Sequence, residues 1–231
     1  MKLQAIILAG GLGTRLRSEV KSLPKVMAPV NNRPFIEYLL DDLKSQGFSR
    51  VILAVGYMAD TIIDHFGNEY CGMKLVYSIE KELLGTGGGI RQALSLADKT
   101  DPCFVLNGDT YLKVDYKEIL TTHNAHSCQL SMTLRYVEDV YRYGAIKVDD
   151  NGIVTAFCEK GDNGPGYINA GTYLMSTDIF ANFDLPEKFS LETDFIATNI
   201  AVVKPVAYLA EGKFIDIGIP EDFHRVQTML K

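Results

Sequence analysis

An apolar run, Gln4 to Leu8, empties directly into Gly10-Gly11-Leu12-Gly13, with Thr14, Arg15 and Leu16 behind it and Pro24-Lys25 further on. The run reads as a first strand. Because glycine has no Cβ, the amides of the turn that follows can approach a ligand closely, an arrangement suited to phosphate. Arg15 adds a planar cationic fork and Lys25 a point charge. Two commoner phosphate loops are excluded. A Walker loop needs Gly-Lys-Ser/Thr after its spacer, and none follows. A dinucleotide fingerprint needs a third glycine where this chain has Leu16.

The first half continues with alternating signals. Pro34 to Gln46 predicts a helix, with Pro34 at its first position, Ile36, Leu39, Leu40 and Leu43 on one face, and Gly47 at its end. Arg50–Val55, Lys74–Ser78 and Cys103–Asn107 read as strands, and Ile90–Leu96 as a helix after a glycine run. Strands separated by helices imply a mainly parallel sheet, with ligands beyond the carboxyl ends of its strands. Gly10, Glu80 and Asp109 all fall just past such ends. The second half is strand-rich: Ser131–Tyr136, Gly144–Val148, Val154–Glu159, Gly171–Met175, Val203–Leu209 and Phe214–Ile217, closed by a helix from Pro220 to Leu230. It reads as an antiparallel region over the sheet edge. The expected fold is α/β: a Rossmann-like, mainly parallel sheet flanked by helices, with a smaller antiparallel region.

A net charge of -6 argues against a nucleic-acid surface. Cys71, Cys103, Cys128 and Cys158 are dispersed without a Cys-x-x-Cys pair, so reduced thiols are expected. No segment has the length of a membrane span or the form of a signal peptide, which points to the cytoplasm. His123 and His126 read as a solvated helix end.

Gly-Gly-x-Gly-Thr-Arg-Leu with a downstream Pro-Lys resembles the signature of the sugar-1-phosphate nucleotidyltransferases, which join a nucleoside triphosphate to a sugar 1-phosphate and release pyrophosphate. The likeness runs along nearly the whole chain. It implies one domain over residues 1–231, with a nucleotide-binding half to about residue 125 and a sugar-phosphate half from about 126. In Asn107-Gly108-Asp109 and in Phe214-Ile215-Asp216-Ile217-Gly218 the resemblance assigns Asp109 and Asp216 to a metal, Mg²⁺ with Mn²⁺ as the alternative. One or two carboxylates plus substrate phosphates suit that ion.

The same resemblance places Arg15 at the pyrophosphate end and Lys25 at the α-phosphate or the incoming phosphate. It assigns nucleotide contacts to Leu8, Gly10, Gly11, Gly13, Thr14, Glu80 and Gly85, with Glu80 able to accept from guanine N1–H and N2–H₂. Tyr143-Gly144, Glu159-Lys160, Asn169, Gly171 and Glu192 match its sugar-contact motifs. Where many members carry proline after the Glu-Lys pair, this chain has Gly161, so a looser loop is expected. Ser190 through Asp194 also reads as a capped helix start.

The opening segment, Met27-Ala28-Pro29-Val30, Ser190-Leu191-Glu192 and the region of Asp216 lean toward short members that use GTP and a heptose 1-phosphate. Such members lack the C-terminal β-helix that some relatives append. A mannose 1-phosphate guanylyltransferase, an N-acetylmuramate 1-phosphate uridylyltransferase and a non-catalytic sugar-nucleotide sensor are the alternatives. Neither nucleic acid nor membrane is expected as a partner, and the oligomeric state is left open.

Overall fold

A computed structural model of the chain describes residues 3–11, 13, 16, 20, 22–99, 101–158, 161 and 163–230. In chain order the elements are β1 (Gln4–Leu8), β2 (Pro29–Val30), β3 (Arg33–Pro34), α1 (Phe35–Ser45), β4 (Arg50–Val55), α2 (Ala59–Phe66), β5 (Glu69–Tyr70), β6 (Met73–Ile79), α3 (Gly85–Leu94), β7 (Cys103–Asn107), β8 (Thr110–Leu112) and α4 (Tyr116–His126). There follow β9 (Leu130–Val137), β10 (Ile146–Val148), β11 (Val154–Phe157), β12 (Gly166–Met175), a π-helix (Leu191–Ala197), α5 (Ile200–Val203), β13 (Val206–Leu209), β14 (Phe214–Asp216) and α6 (Pro220–Met229).

One ten-stranded sheet organises the molecule, in the order β11-β10-β12-β7-β1-β4-β6-β5, with β9 on β12 and β13 on β9. Strand β1 lies between parallel β4 and β7, so Leu8 is level with Ala54 and Asn107. The later strands do not sit over the edge, as the sequence suggests; β12 pairs antiparallel with β7 and extends the same sheet. Two small antiparallel pairs, β14–β8 and β2–β3, stand beside it.

Side chains alternate across a strand, so a sheet buried on both faces divides its residues between two cores. Ala5 and Ile7 face one core with α1, α4 and α6, while Ile6, Ile52 and Ala54 face the other with α3 and the π-helix. Each fully buried aliphatic side chain of this kind stabilises the fold by about 1.5–3 kcal/mol.

Several local expectations shift. Pro34 is the N-cap of α1 and not its first residue, because its backbone is extended and closes the β2–β3 pair. Residues 200–203 form α5, so β13 begins later than Val203. Helix α2 buries Ile62 and Phe66, one turn apart on its inner face. His123 is buried at 5% exposure beside Ser131 and Cys128, whereas His126 is exposed. Among the described residues, no helix is long and apolar enough to cross a membrane.

Candidate functional site

The turn after β1 is held where the sequence places it. Ala9 N–H donates to Ala54 O at 2.7 Å, continuing the ladder by one residue. Gly10 then passes so close to the turn after β4 that a Cβ there would lie 2.9 Å from Glu80 Oε1 and 3.2 Å from Gly56 N. Gly13 has φ +57°, the left-handed region glycine enters without penalty, and it lies against Lys25. Thr14 and Arg15 lie outside the described residues.

Lys25 opens a short 3-10 turn, Lys25–Met27, whose Val26 and Met27 are buried. These two anchors fix the direction of the lysine, and its ammonium forms an ion pair with Asp109. Asp109 leaves the end of β7 by way of Gly108, whose N–H donates to Leu8 O at 3.0 Å and whose place a Cβ could not share with that carbonyl. Strand β14 brings Asp216 level with Thr110 on β8, and Ile217 N–H donates to Asp109 O at 2.9 Å. The Asp216 carboxylate accepts from Gly218 N–H at 2.6 Å, and a Cβ on Gly218 would lie 2.7 Å from Asp216 Oδ1 and 3.1 Å from Lys25 Nζ. Lys25, Asp109 and Asp216, far apart in sequence, therefore meet at one point. Two hard carboxylates beside an ammonium suit a divalent cation that takes its remaining ligands from phosphate and water. Among the described residues, no group of three or more His, Cys, Asp or Glu side chains gathers to hold a metal by itself.

Two adjoining cavities lead away from this point. One of about 200 Å³ is lined by Leu8, Gly11, Lys25, Asn107 and Asp109. The other, about 400 Å³, is lined by Gly10, Gly13, Glu80, Leu83, Gly85 and Lys188; Leu8, Gly11 and Thr86 border both. Glu80 lies against α3, where Leu84 N–H donates to its Oε2 at 3.1 Å. Burial raises its pKa, opposed by that backbone hydrogen bond.

The glycine run does not precede α3; it forms the first half of the helix, contrary to the expected start at Ile90. Glycine in a helix interior costs about 0.5–1 kcal/mol relative to alanine, and three neighbours explain it here. A Cβ at Gly87 would collide with the Phe189 ring, one at Gly88 would lie 2.6 Å from Glu187 O, and one at Gly89 would lie 2.8 Å from Glu80 Oε1. The segment around Phe189 is thereby clamped to α3, with Gly87 N–H donating to Phe189 O at 3.0 Å and Arg91 over the Phe189 ring.

That clamp leads directly into the π-helix. Glu192 follows Ser190, which caps the π-helix as the sequence suggests, accepting from Thr193 N–H at 3.3 Å. One Glu192 oxygen accepts from Tyr173 OH at 2.8 Å and the other from Thr86 Oγ1 at 3.1 Å. Tyr173 is fully buried, which raises its phenol pKa well above the ordinary value, and it accepts in turn from Asn169 Nδ2 at 2.6 Å. Gly171, φ +74°, abuts Asn107: a Cβ there would lie 2.8 Å from its Nδ2.

Tyr143 and Gly144 stand apart from this chain of contacts. The Tyr143 ring meets Phe214, two residues before Asp216, at a centroid distance of 6.2 Å. Glu159 and Lys160 lie outside the described residues. Thr86, Asn107, Tyr173 and Lys188 are site-lining or bridging residues that sequence reasoning misses. Asn107 alone has a local signal, in Asn107-Gly108-Asp109; Thr86 is hidden in the glycine run.

The sequence profile of the nucleotidyl transferase family matches residues 4–231. The chain is 44% identical over 222 residues to a D-glycero-alpha-D-manno-heptose 1-phosphate guanylyltransferase of Campylobacter jejuni, covering 96% of this chain and 97% of that one. It is 41% identical to the enzyme of the same name from Aneurinibacillus thermoaerophilus, covering 99% of each. The crystal structure of HddC from Yersinia pseudotuberculosis superposes with a TM-score of 0.89 at 38% identity, covering 99% of this chain and all of that one. Its complex with GMP-PN superposes with a TM-score of 0.86.

Proposed function

The chain belongs to the nucleotidyl transferase family, and from that premise we propose that it transfers GMP from GTP to D-glycero-α-D-manno-heptose 1-phosphate, giving the nucleotide sugar and pyrophosphate. The observation that carries the reaction class is the meeting of Lys25, Asp109 and Asp216 beside a cavity that ends at the Glu80 carboxylate. The acceptor and the base are supported by the near full-length similarity to the two heptose 1-phosphate guanylyltransferases.

No protein nucleophile is needed. An ionised oxygen of the sugar phosphate attacks the α-phosphorus of GTP in line with the departing pyrophosphate; a P–O bond forms to the sugar phosphate as the bond to the β-phosphate bridging oxygen breaks. The obstacle is repulsion between anions and the charge that grows on the leaving group, so the protein's work is positioning and electrostatic stabilisation. Lys25 supplies positive charge at the reacting phosphates, and the amides of Gly11 and Gly13 accompany it. Arg15, by family resemblance, serves the pyrophosphate end. Asp109 and Asp216 are the residues that would hold magnesium, which would add further neutralisation of phosphate charge. Glu80 accepts from guanine N1–H and N2–H₂, a donor pair adenine lacks. Glu192, held between Thr86 and Tyr173, and Asn169 serve the sugar side.

Pyrophosphate release from GTP with the heptose 1-phosphate tests the reading. It is expected to require Mg²⁺ or Mn²⁺ and to stop in chelator; full turnover in chelator overturns the metal assignment. Preference for mannose 1-phosphate with GTP overturns only the sugar, and preference for UTP or dTTP overturns the guanylyl assignment.

A further inference from the structure

A cavity of about 960 Å³ lies apart from those described above. It lies beyond the ends of β9 and β13, lined among others by Arg135, Arg142, Tyr143, Lys213, Phe214 and Arg225. The sheet topology fixes which edge this is. Strand β7 is parallel to β1, β12 antiparallel to β7, β9 antiparallel to β12, and β13 parallel to β9. The carboxyl ends of β9 and β13 therefore open on the same edge as Leu8 and Asn107, on the side of the antiparallel strands.

Strand β14 ties this cavity to the reacting centre. Ile215 is fully buried, so the alternation of a strand puts Phe214 and Asp216 on the opposite face, about 7 Å apart along the chain. Phe214 lines the cavity; Asp216 stands at the phosphate centre. Tyr143, one of the expected sugar contacts, packs edge-on against Phe214 and lies beneath the Arg142 guanidinium, 5.2 Å from ring centroid to Cζ. Burial raises the Tyr143 phenol pKa, with Asp222 and Asp216 adding to it; at Arg142 burial works to lower the pKa, and the hydrogen bond to Asp222, together with the charges of Tyr143, Asp222 and Asp216, outweighs it.

Two arginines are held here by one carboxylate. Asp222, buried in the first turn of α6, accepts from Arg142 at 2.8 Å and from Arg225 at 3.1 Å. A single carboxylate leaves most of their N–H donors unused. Glu138, Asp139 and Glu211 on the same walls offer acceptors. A wall of mixed donors and acceptors with nearly balanced charge suits neutral vicinal hydroxyls better than another phosphate.

The geometry points to this cavity as the receptor for the exocyclic arm of the sugar: a polyhydroxylated chain extending from the pyranose, read by the Arg142–Asp222–Arg225 cluster and bounded by Phe214. The inference rests on the sugar-phosphate reading above and adds where the extra carbon of a heptose is recognised.

The test compares two acceptors that differ only in that arm, D-glycero-α-D-manno-heptose 1-phosphate and α-D-mannose 1-phosphate, with GTP, by kcat/KM in the wild type and in Arg142→Met, Arg225→Met and Phe214→Trp. The wild type is expected to favour the heptose. Arg142→Met and Phe214→Trp are expected to lower the heptose-to-mannose ratio at least tenfold, mainly by loss on the heptose, and Arg225→Met to lower it less. Should Arg142→Met fail to fold, the other two variants read the same ratio. A wild-type ratio near one, or a ratio unchanged within twofold in the folded variants, overturns the inference while GMP transfer itself stands. Absence of pyrophosphate release from either acceptor removes the transferase reading, and this inference with it.

Discussion

Around Gly10 and Gly85–Gly89 the fold rests on glycine backbone packed too closely against its neighbours to admit a Cβ, whereas around Asn169, Tyr173 and Glu192 it rests on side chains held by side chains. On the first side a Cβ at Gly10 or Gly89 would press on Glu80, and one at Gly87 on Phe189. On the second, Asn169 donates to Tyr173, Tyr173 donates to Glu192, and Glu192 reaches back to Thr86. Under the function proposed above, the first arrangement serves a ligand approached by amides and the second a ligand whose hydroxyls need matched partners, with Lys25, Asp109 and Asp216 as the phosphate centre common to both substrates.

The largest effects are expected at that shared centre. Asp109→Asn and Asp216→Asn should each lose most turnover with either acceptor, with melting temperatures close to wild type. Lys25→Ala and Arg15→Ala should each lower kcat by about a hundredfold or more, the order of about 2–4 kcal/mol found when a donor to transition-state charge is removed. Steady-state kinetics with both substrates saturating checks this. A change confined to KM would mean that these cations hold only the ground state.

On the backbone-built side, Gly87→Ala should destabilise the protein by about 1–3 kcal/mol through overpacking against Phe189, read as a lower midpoint in denaturant at unchanged slope. Wild-type stability in that variant would show that the clamp can open without penalty. Glu80→Gln should weaken discrimination against ATP by about 1–3 kcal/mol, because the guanine donors then meet a mismatched group.

The sign of the pH effect at Glu80 follows from its burial. Desolvation raises its pKa, so the carboxylate proposed to accept from guanine is lost at a higher pH than for an exposed glutamate. KM for GTP should therefore rise as pH falls through that raised value, and Glu80→Gln should remove this component of the profile. An identical profile in both proteins would assign the titration elsewhere.

A smaller and more selective effect is expected across the molecule. Tyr173→Phe removes the hydroxyl between Asn169 and Glu192, both half-buried and each left with another partner, at a cost of about 0.5–1.5 kcal/mol. KM for the sugar phosphate should rise more than KM for GTP. An equal rise in both would mean that the bridge serves the two sides alike.

The difference between the two sides also explains what the sequence reveals. Glycines at Gly10 and Gly13, Asp109 two residues past β7 and Asp216 at the end of β14 are local signals, so the meeting of the first turn with two carboxylates at one edge of the sheet is foreshadowed in the sequence alone. The position of α3 is not, because glycine normally argues against a helix and only the distant Phe189 and Glu187 make it necessary here. Thr86 and Tyr173 acquire their roles through Glu192, 106 and 19 residues away respectively. His123 defies the solvated reading of its helix end for the same reason: its burial comes from Ser131 and Cys128, outside its own helix. Most strands after β8 have a recognisable pattern, but their membership of one sheet depends on β12 pairing with β7, which no local pattern encodes.

The most direct measurement is a matrix of kcat/KM for GTP, ATP, UTP, CTP and dTTP, each with the heptose and the mannose 1-phosphates, run on the wild type and on Glu80→Gln. The expected result is a maximum for GTP with the heptose in the wild type. In Glu80→Gln the preference for GTP should fall while the heptose-to-mannose ratio stays within about twofold, since the contacts proposed for base and for sugar belong to different elements. A maximum for UTP or dTTP, or a substitution at Glu80 that moves both ratios together, would contradict the account.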